Sequence, residues 1–386
     1  MPTPQRLADE TPKSPSFIGE TVRYVVVLGL LCFVVWYYYF RTPAHNIDCH
    51  TEGETMGTDY AVKVHGFPEN ADWNAAADAV KQALDTVDQA MSTFKPDSDV
   101  CRFNTSESTD WFSVSKETAE VVHLALELSK LTEGAFDITV APLIDLWGFG
   151  PEREPLDLAT IDGRVAETKN RVGFDKLDVR LEPPALKKSI PNLAIDLSAI
   201  AKGYAVDRIA KVLDDRRIGN YMIEVGGEVR CKGNKGAKGE WTIGIEKPLF
   251  GHRDEFSGVQ KKLQLGNRSL ATSGDSRNYR ELDGVRFSHL IDPRTGFPTE
   301  RAPSGVTTPT ERLGSVSVID TTCARADALA TAMFVLGEKD GLALAEKRGI
   351  AVLFLLRSES TDHDESTIRE AVSNTEIGKT LFCPTP

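Results

Sequence analysis

The sequence predicts an α+β fold built on antiparallel sheet, preceded by one N-terminal transmembrane helix. Three observations carry this reading. Amphipathic helical stripes recur along the chain, strand-like runs between Met222 and Leu270 sit close enough to pair as hairpins, and helices and strands come in mixed order without regular βα alternation. With 386 residues, of which 41% are hydrophobic and 26% charged, the chain can bury one large core or two smaller ones. Its net charge of -12 argues against nucleic acid as a partner, which calls for a basic surface, and leaves a cation-dependent enzyme open. No repeat is visible. The six cysteines are scattered, with no C-x-x-C pair, so neither a zinc site nor a disulfide framework is indicated.

The elements follow in order. Residues 1–23 are polar. From Tyr24 to Phe40 the chain carries no charge, and about 17 residues is the short end of what spans a bilayer. Trp36, Tyr37, Tyr38 and Tyr39 suit a membrane interface, so 24–40 reads as a single-pass anchor and 41–50 as a linker. A cleaved signal peptide fits less well, because the aromatic block followed by Arg41-Thr42-Pro43 is a poor cleavage site; a lipoprotein fits less well because Leu31 precedes Cys32. Arg6, Lys13 and Arg23 before the span, against Arg41 after it, favour a cytoplasmic N-terminus and an exported catalytic domain.

Beyond the linker, a strand is expected over Thr58 to Val64 and a helix over Asn74 to Phe94, with Ala77, Val80, Leu84, Val87 and Met91 as its apolar stripe. A second helix spans Lys116 to Leu131, with Ser115 as N-cap. Gly150 to Pro191 is Pro-rich and charged and reads as an excursion or connecting subdomain. Leu193 to Leu197 is read as extended, Ala199 to Leu213 as helix, and Met222 to Cys231 and Trp241 to Glu246 as strands. Ser315 to Ile319 is read as a strand, Cys323 to Leu336 as a helix, and Ile350 to Leu356 as a buried strand.

Four segments concentrate residues that folding alone does not require. In DLSAIAKGYAVDRIA, Asp196 and Ser198 stand at a helix N-terminus, where backbone N–H groups also bind anions; Asp196 reads equally as an N-cap and Lys202 as a surface charge. LATSGDSRNYRELDGVRFSHLIDPRTGFP packs Arg277, Tyr279, Arg286, His289, Asp292 and Arg294 into turn-forming sequence, which suits a ligand site on loops, although Asp292-Pro293 is also a turn opener. In ADALATAMFVLG, Asp327 and Thr331 lie one turn apart and could share one hard cation, or Thr331 could bond back to a carbonyl. In GAFDITVAPLIDLWGFG, Phe136, Trp147 and Phe149 could face a flat ring system and Asp137 could accept a hydrogen bond from it, or the aromatics could be core.

Taken with TEGETMGTDYAVKV, MSTFKPDSDVCRFN and YMIEVGGEVRCKG, these segments resemble the ApbE family of FAD:protein FMN transferases, from about Thr51 through nearly all the rest of the chain. The resemblance implies one ApbE-like domain over 51–386, of two-part architecture with a T-fold-like core and an additional α/β subdomain, and FAD in a cleft between the parts. It further implies FAD contacts at Met56, Phe94, Ala135, Phe136, Asp137, Asp196, Lys202 and Leu290, and a magnesium ion on Asp327, Thr331 and the main-chain carbonyl of Ala199. Phe94 stands where many relatives have Tyr, and the spanning segment replaces the usual lipobox.

The chemistry so implied is attack of an acceptor Ser or Thr hydroxyl on the FMN-side phosphorus of FAD, with AMP leaving. Lys202 and an arginine, Arg277 or Arg294, are the candidate cations; His289 is the candidate general base, with Asp292 next in line. FAD pyrophosphatase activity, with water as nucleophile, and non-catalytic flavin binding are the alternatives. By resemblance the acceptors would be flavin-carrying subunits of Na+-pumping NADH:quinone reductase or Rnf-type complexes, met beside the inner membrane on its periplasmic side.

Overall fold

A computed structural model describes residues 28–31, 46–151, 156–249, 256–282, 285–299, 311–358 and 367–383. Ile47–Phe67 and Ala71–Pro386 form one compact unit; Met1–Asn46 with Pro68–Asn70 is a second. The expected anchor 24–40 lies outside the described residues except for the helical residues 28–31, and no helix among the described residues is long and apolar enough to cross a membrane.

The larger unit is organised by an eight-stranded sheet whose members we label β1 (Asn46–Thr55), β2 (Thr58–Pro68), β3 (Tyr221–Val225), β4 (Glu228–Lys232), β5 (Ser269–Gly274), β6 (Glu311–Asp320), β7 (Ala351–Ser358) and β8 (Ile368–Val372). Each pairs with the next in that order. The registered pairs from β2 to β8 are all antiparallel, with Tyr60 opposite Val225, Leu270 opposite Val229 and Val318 opposite both Ala271 and Val352. Strand periodicity then sorts the core. Val352, Phe354 and Leu356 of β7 join a large cluster shared with the long helices, whereas Ala351, Leu353 and Leu355 face a smaller cluster with Trp241, Ile243, Leu263 and Phe382. Buried on both sides, β7 needs the unbroken apolar run the sequence gives it.

The four long helices are α1 (Trp73–Met91), α2 (Lys116–Leu131), α3 (Ser198–Asp215) and α4 (Cys323–Arg348). The helix α1 buries Ala76 rather than Ala77, and it stops at Met91, where extended Ser92 closes the last turn. Phe94 is therefore outside it. The Ser115 hydroxyl caps α2 as expected, accepting from Thr118 N. In α4 the backbone leaves helical geometry at Gly337, next to the end expected from sequence, and then resumes.

Two expectations change, and a third segment gains detail. Met222 to Cys231 is two strands, because Gly226 and Gly227 both take positive φ and turn the chain between β3 and β4. Leu193 to Leu197 is not a strand: the Asn104 amide takes the place of a strand partner, donating to the Ile195 carbonyl and accepting from its N–H, while Asp196 N donates to the Ile138 carbonyl. The excursion 150–191 holds a helix, Ile161–Thr168, and a hairpin, Leu177–Leu181 with Pro184–Lys188. A third apolar cluster lies around Leu143, Trp147, Ile161, Val165, Phe287 and Ile291, and Trp147, fully buried, is core there: its indole N–H donates to the Gly296 carbonyl at 2.8 Å.

The close approach of α3 to α4 sets the site. A Cβ at Gly203 would lie 2.4 Å from the Cys323 carbonyl oxygen and 2.8 Å from Ala324 Cα, both backbone atoms that cannot swing away. Gly203→Ala should therefore force the helices apart and cost roughly 1–3 kcal/mol in urea unfolding. At Gly219, where an added Cβ meets nothing within 4 Å, the same substitution should leave the midpoint nearly unchanged.

Candidate active site

A cavity of about 1060 Å³ opens in the larger unit, large enough for a dinucleotide-sized ligand. Of the residues singled out in the sequence, Ala135, Phe136, Asp137, Asp196, Ala199, Lys202, Arg277, His289, Leu290, Asp327 and Thr331 line it. They come from five separate stretches of chain, joined only by the fold.

Its charged centre is where α3 and α4 meet β4. Lys202 Nζ donates to Glu228 Oε1 at 2.7 Å and lies 3.8 Å from Asp327 Oδ1; the other Asp327 oxygen accepts from Gly203 N at 3.0 Å. Both carboxylates are nearly inaccessible, at 3% for Glu228 and 2% for Asp327. Burial pulls the Lys202 ammonium down, but Asp327 and Glu228 outweigh it and hold it above its ordinary value, so it is charged at neutral pH. Burial pushes Glu228 above the ordinary carboxylate range; Lys202 opposes this and the like charge of Asp327 adds to it. Glu228 was not singled out in the sequence. Its one signal there is a carboxylate directly after Gly226-Gly227, at the start of the strand Glu228–Lys232.

The three donors expected to hold a cation all reach this wall. Thr331 Oγ1 is 3.0 Å from Ser273 Oγ, one turn along α4 from Asp327, and Ala199 is in the first turn of α3. Among the described residues no group of three His, Cys, Asp or Glu is disposed around a metal, so a metal would rest on this mixed carboxylate, hydroxyl and carbonyl set. An all-oxygen set beside the buried and unpartnered Glu228 Oε2 suits a hard divalent cation such as magnesium.

His289, which lines the same cavity and is half-buried, is held through its own ring: Nδ1–H donates to the Asn278 carbonyl at 3.1 Å, which leaves Nε2 as the acceptor of the neutral imidazole. Burial lowers its pKa to about 4; the Asn278 carbonyl opposes this and the Lys202 charge adds to it, so the ring is neutral at pH 7. Phe149 packs edge-on to it, with ring centroids 6.3 Å apart.

Other carboxylates of the site are committed to the backbone. Asp137, held above the usual range by burial, accepts from Thr139 N, Thr139 Oγ1 and Phe174 N at 2.7–2.8 Å. It ties two distant segments together where a hydrogen bond from a bound ring was expected. Asp196 Oδ1 accepts from Ser198 N at 2.7 Å, the capping role weighed in the sequence.

Four expected residues are not brought to the cavity wall. Asp292 is spent in its turn: its carboxylate takes Arg294 N, Nε and Nη2 at 2.9 Å each, and its carbonyl accepts from Gly296 N. Arg294 is thereby occupied too. Met56 sits at positive φ in the turn between β1 and β2 and packs on the main core, although Gly57 beside it lines the cavity. Phe94 is 73% exposed. Arg277 does line the cavity, paired with Glu246 at 2.5 Å.

Comparison with known proteins adds an independent finding. The ApbE family model matches residues 56–354. FAD:protein FMN transferases from Vibrio cholerae and Haemophilus influenzae are 42% and 40% identical, over 82% and 80% of this chain and 89% and 86% of their own. The solved flavin transferase ApbE from Vibrio cholerae superposes with a TM-score of 0.73 at 39% identity, over 87% of this chain and 99% of that one. Apo flavinyl transferase ApbE from Pseudomonas stutzeri gives 0.74 at 32% identity, over 88% of this chain and 98% of its own.

The depressed histidine has a consequence for stability. Its folded value, about 4, lies below its ordinary 6.5, so between these pH values the unfolded chain binds more protons than the folded one. The contribution of His289 is thus complete above pH 6.5 and lost as pH falls towards 4. Urea unfolding at pH 7, 6 and 5 should show a falling midpoint, with a shallower fall in His289→Asn.

Proposed function

The chain belongs to the ApbE family, and from that premise we propose that it transfers FMN from FAD to a Ser or Thr hydroxyl of an acceptor protein. The acceptor oxygen bonds to the FMN-side phosphorus, the bond to the AMP phosphate breaks, and AMP leaves with the electron pair of that bond. The hydroxyl proton passes to His289 Nε2. The observation that carries this reading is a neutral imidazole with a free acceptor nitrogen in the same cavity as a charged ammonium, Lys202, and the Asp327 and Thr331 pair.

Each residue has a distinct part in it. A hydroxyl is a poor nucleophile at pH 7, and a base already neutral at that pH is ready to take its proton. Asn278 fixes the tautomer and so aims the basic nitrogen. Lys202 meets the charge of the diphosphate, with Arg277 as a second cation once its pairing to Glu246 is exchanged. A magnesium ion held by Asp327, Thr331 and the Ala199 carbonyl would neutralise further phosphate charge and align the leaving group. Ala135, Phe136 and Leu290 supply apolar wall for the ring systems.

We place this domain outside the cytoplasm, tethered to the inner membrane through 24–40, on the strength of the charge-free run and the basic residues before it. Its acceptors would then be exported or membrane-bound flavoprotein subunits, of the kind found in Na+-pumping NADH:quinone reductase and Rnf-type complexes.

Incubation with FAD, magnesium and a candidate acceptor should give acceptor protein that stays fluorescent after denaturation, and excess chelator should suppress it. Release of free FMN and AMP with no labelled acceptor would instead identify an FAD pyrophosphatase. Labelling indifferent to chelator would remove the cation from the scheme. His289→Ala should bind FAD within a few-fold of wild type while kcat falls by roughly 100 to 10,000-fold; near-full activity in that variant would send the search for a base elsewhere.

A further inference from the structure

Glu228 has no part in the scheme above, yet it is the shortest polar contact of Lys202. It opens β4 immediately after the Gly226-Gly227 turn and is 3% exposed. One of its oxygens takes the Lys202 ammonium at 2.7 Å, while Oε2 is buried with no donor N–H or O–H to pair it and has the Asp327 carboxyl close by. Leaving a buried carboxylate oxygen unpaired costs about 1–3 kcal/mol, and an apolar residue in that strand would avoid the cost. Stability alone therefore does not account for the residue.

The rest of the packing restricts the lysine further. A Cβ on Gly226 would come within 3.0 Å of Lys202 Cδ, so the turn lies directly against the lysine stem. Asp327 Oδ1 stands 3.8 Å from Nζ on another side. A long side chain that would otherwise sample many rotamers is held at its stem by the turn and at its tip by two carboxylates.

We propose that Glu228 is a positioning residue for transfer: it fixes Lys202 Nζ beside Asp327, so that the ammonium is already in place where charge develops on the diphosphate. This rests on the flavin-transfer reading for what Lys202 meets, and on the hydrogen bond for how it is held. Without Glu228 the ammonium still attracts bound FAD but is no longer aimed, so the loss falls on the transition state and not on substrate binding.

The test uses the full chain with FAD, magnesium and acceptor, and compares Glu228→Ala with Glu228→Gln. The amide of Gln keeps an oxygen that can accept from Nζ. Glu228→Ala should lower kcat by about 10 to 100-fold, the scale of a misplaced catalytic group, with KM for FAD within about threefold; Glu228→Gln should recover most of that loss. Equal losses in both variants, an effect confined to KM, or unchanged kcat in a folded Glu228→Ala would each overturn the proposal. A readout independent of transfer is the rate at which acetic anhydride modifies Lys202, followed by mass spectrometry. It should rise in Glu228→Ala by about tenfold or more if the hydrogen bond pins the amine, whether or not the wild type transfers FMN; an unchanged rate overturns the positioning role. Absence of transfer by the wild type would count against the flavin-transfer reading alone.

Discussion

Where α3 crosses α4, the backbone N–H of Gly203 donates to one oxygen of Asp327, and the geometry of the whole charged wall depends on that contact. It is possible only because residue 203 has no side chain. Given it, Lys202 is carried to the other Asp327 oxygen, Thr331 follows one turn along α4, and β4 adds Glu228 from the sheet. If both carboxylates are ionised they outnumber the one ammonium in a place with little water. Burial answers that imbalance by raising Glu228; a bound cation would answer it instead, and a diphosphate would then find a net positive wall.

The contact of α3 with α4 is also held from outside the cavity. Asp207, in the middle of α3, accepts from Cys323 N and Ala324 N at 3.0 Å each and pairs with Arg230 of the sheet. Those are the N–H groups that the start of α4 cannot satisfy within itself, so one carboxylate both caps α4 and docks it on α3. The base is carried differently. His289 follows a two-stranded hairpin, Tyr279–Leu282 with Val285–Ser288, and precedes the Asp292–Gly296 turn, whose own hydrogen bonds shape it. Lys202 and His289 thus stand on different elements of the fold.

Much of this was readable from the chain, and the gaps have physical causes. The Asp327 and Thr331 spacing, the Ser115 cap and the α+β order follow from local geometry, and the sequence carries local geometry well. Glu228 was not found because a single carboxylate at a strand start reads as a solvated edge residue until the fold closes helices over it. Asp292 looked available because nothing local says that Arg294, two residues on, will fold back to take both its oxygens. Leu193 to Leu197 looked like a strand because its partner is the side chain of Asn104, 91 residues away from Ile195. Phe94 was placed on a helix that ends three residues earlier, since Lys95-Pro96 disfavours helical geometry just before the proline.

The choice between transfer and hydrolysis does not lie in the base. In the proposed scheme a neutral His289 would take a proton from water as readily as from a serine or threonine hydroxyl, and Lys202 would meet the same diphosphate in both cases. What separates the outcomes is how the nucleophile is held. A hydroxyl docked against the phosphorus gains an effective concentration of about 10⁵–10⁸ M, whereas water competes only at its bulk activity and without orientation. Specificity for protein over water therefore has to be built on the rim of the cavity. Exposed Phe256 and the Arg277–Glu246 pair line the same cavity as Lys202 and His289, and are the groups that an acceptor chain entering it would meet.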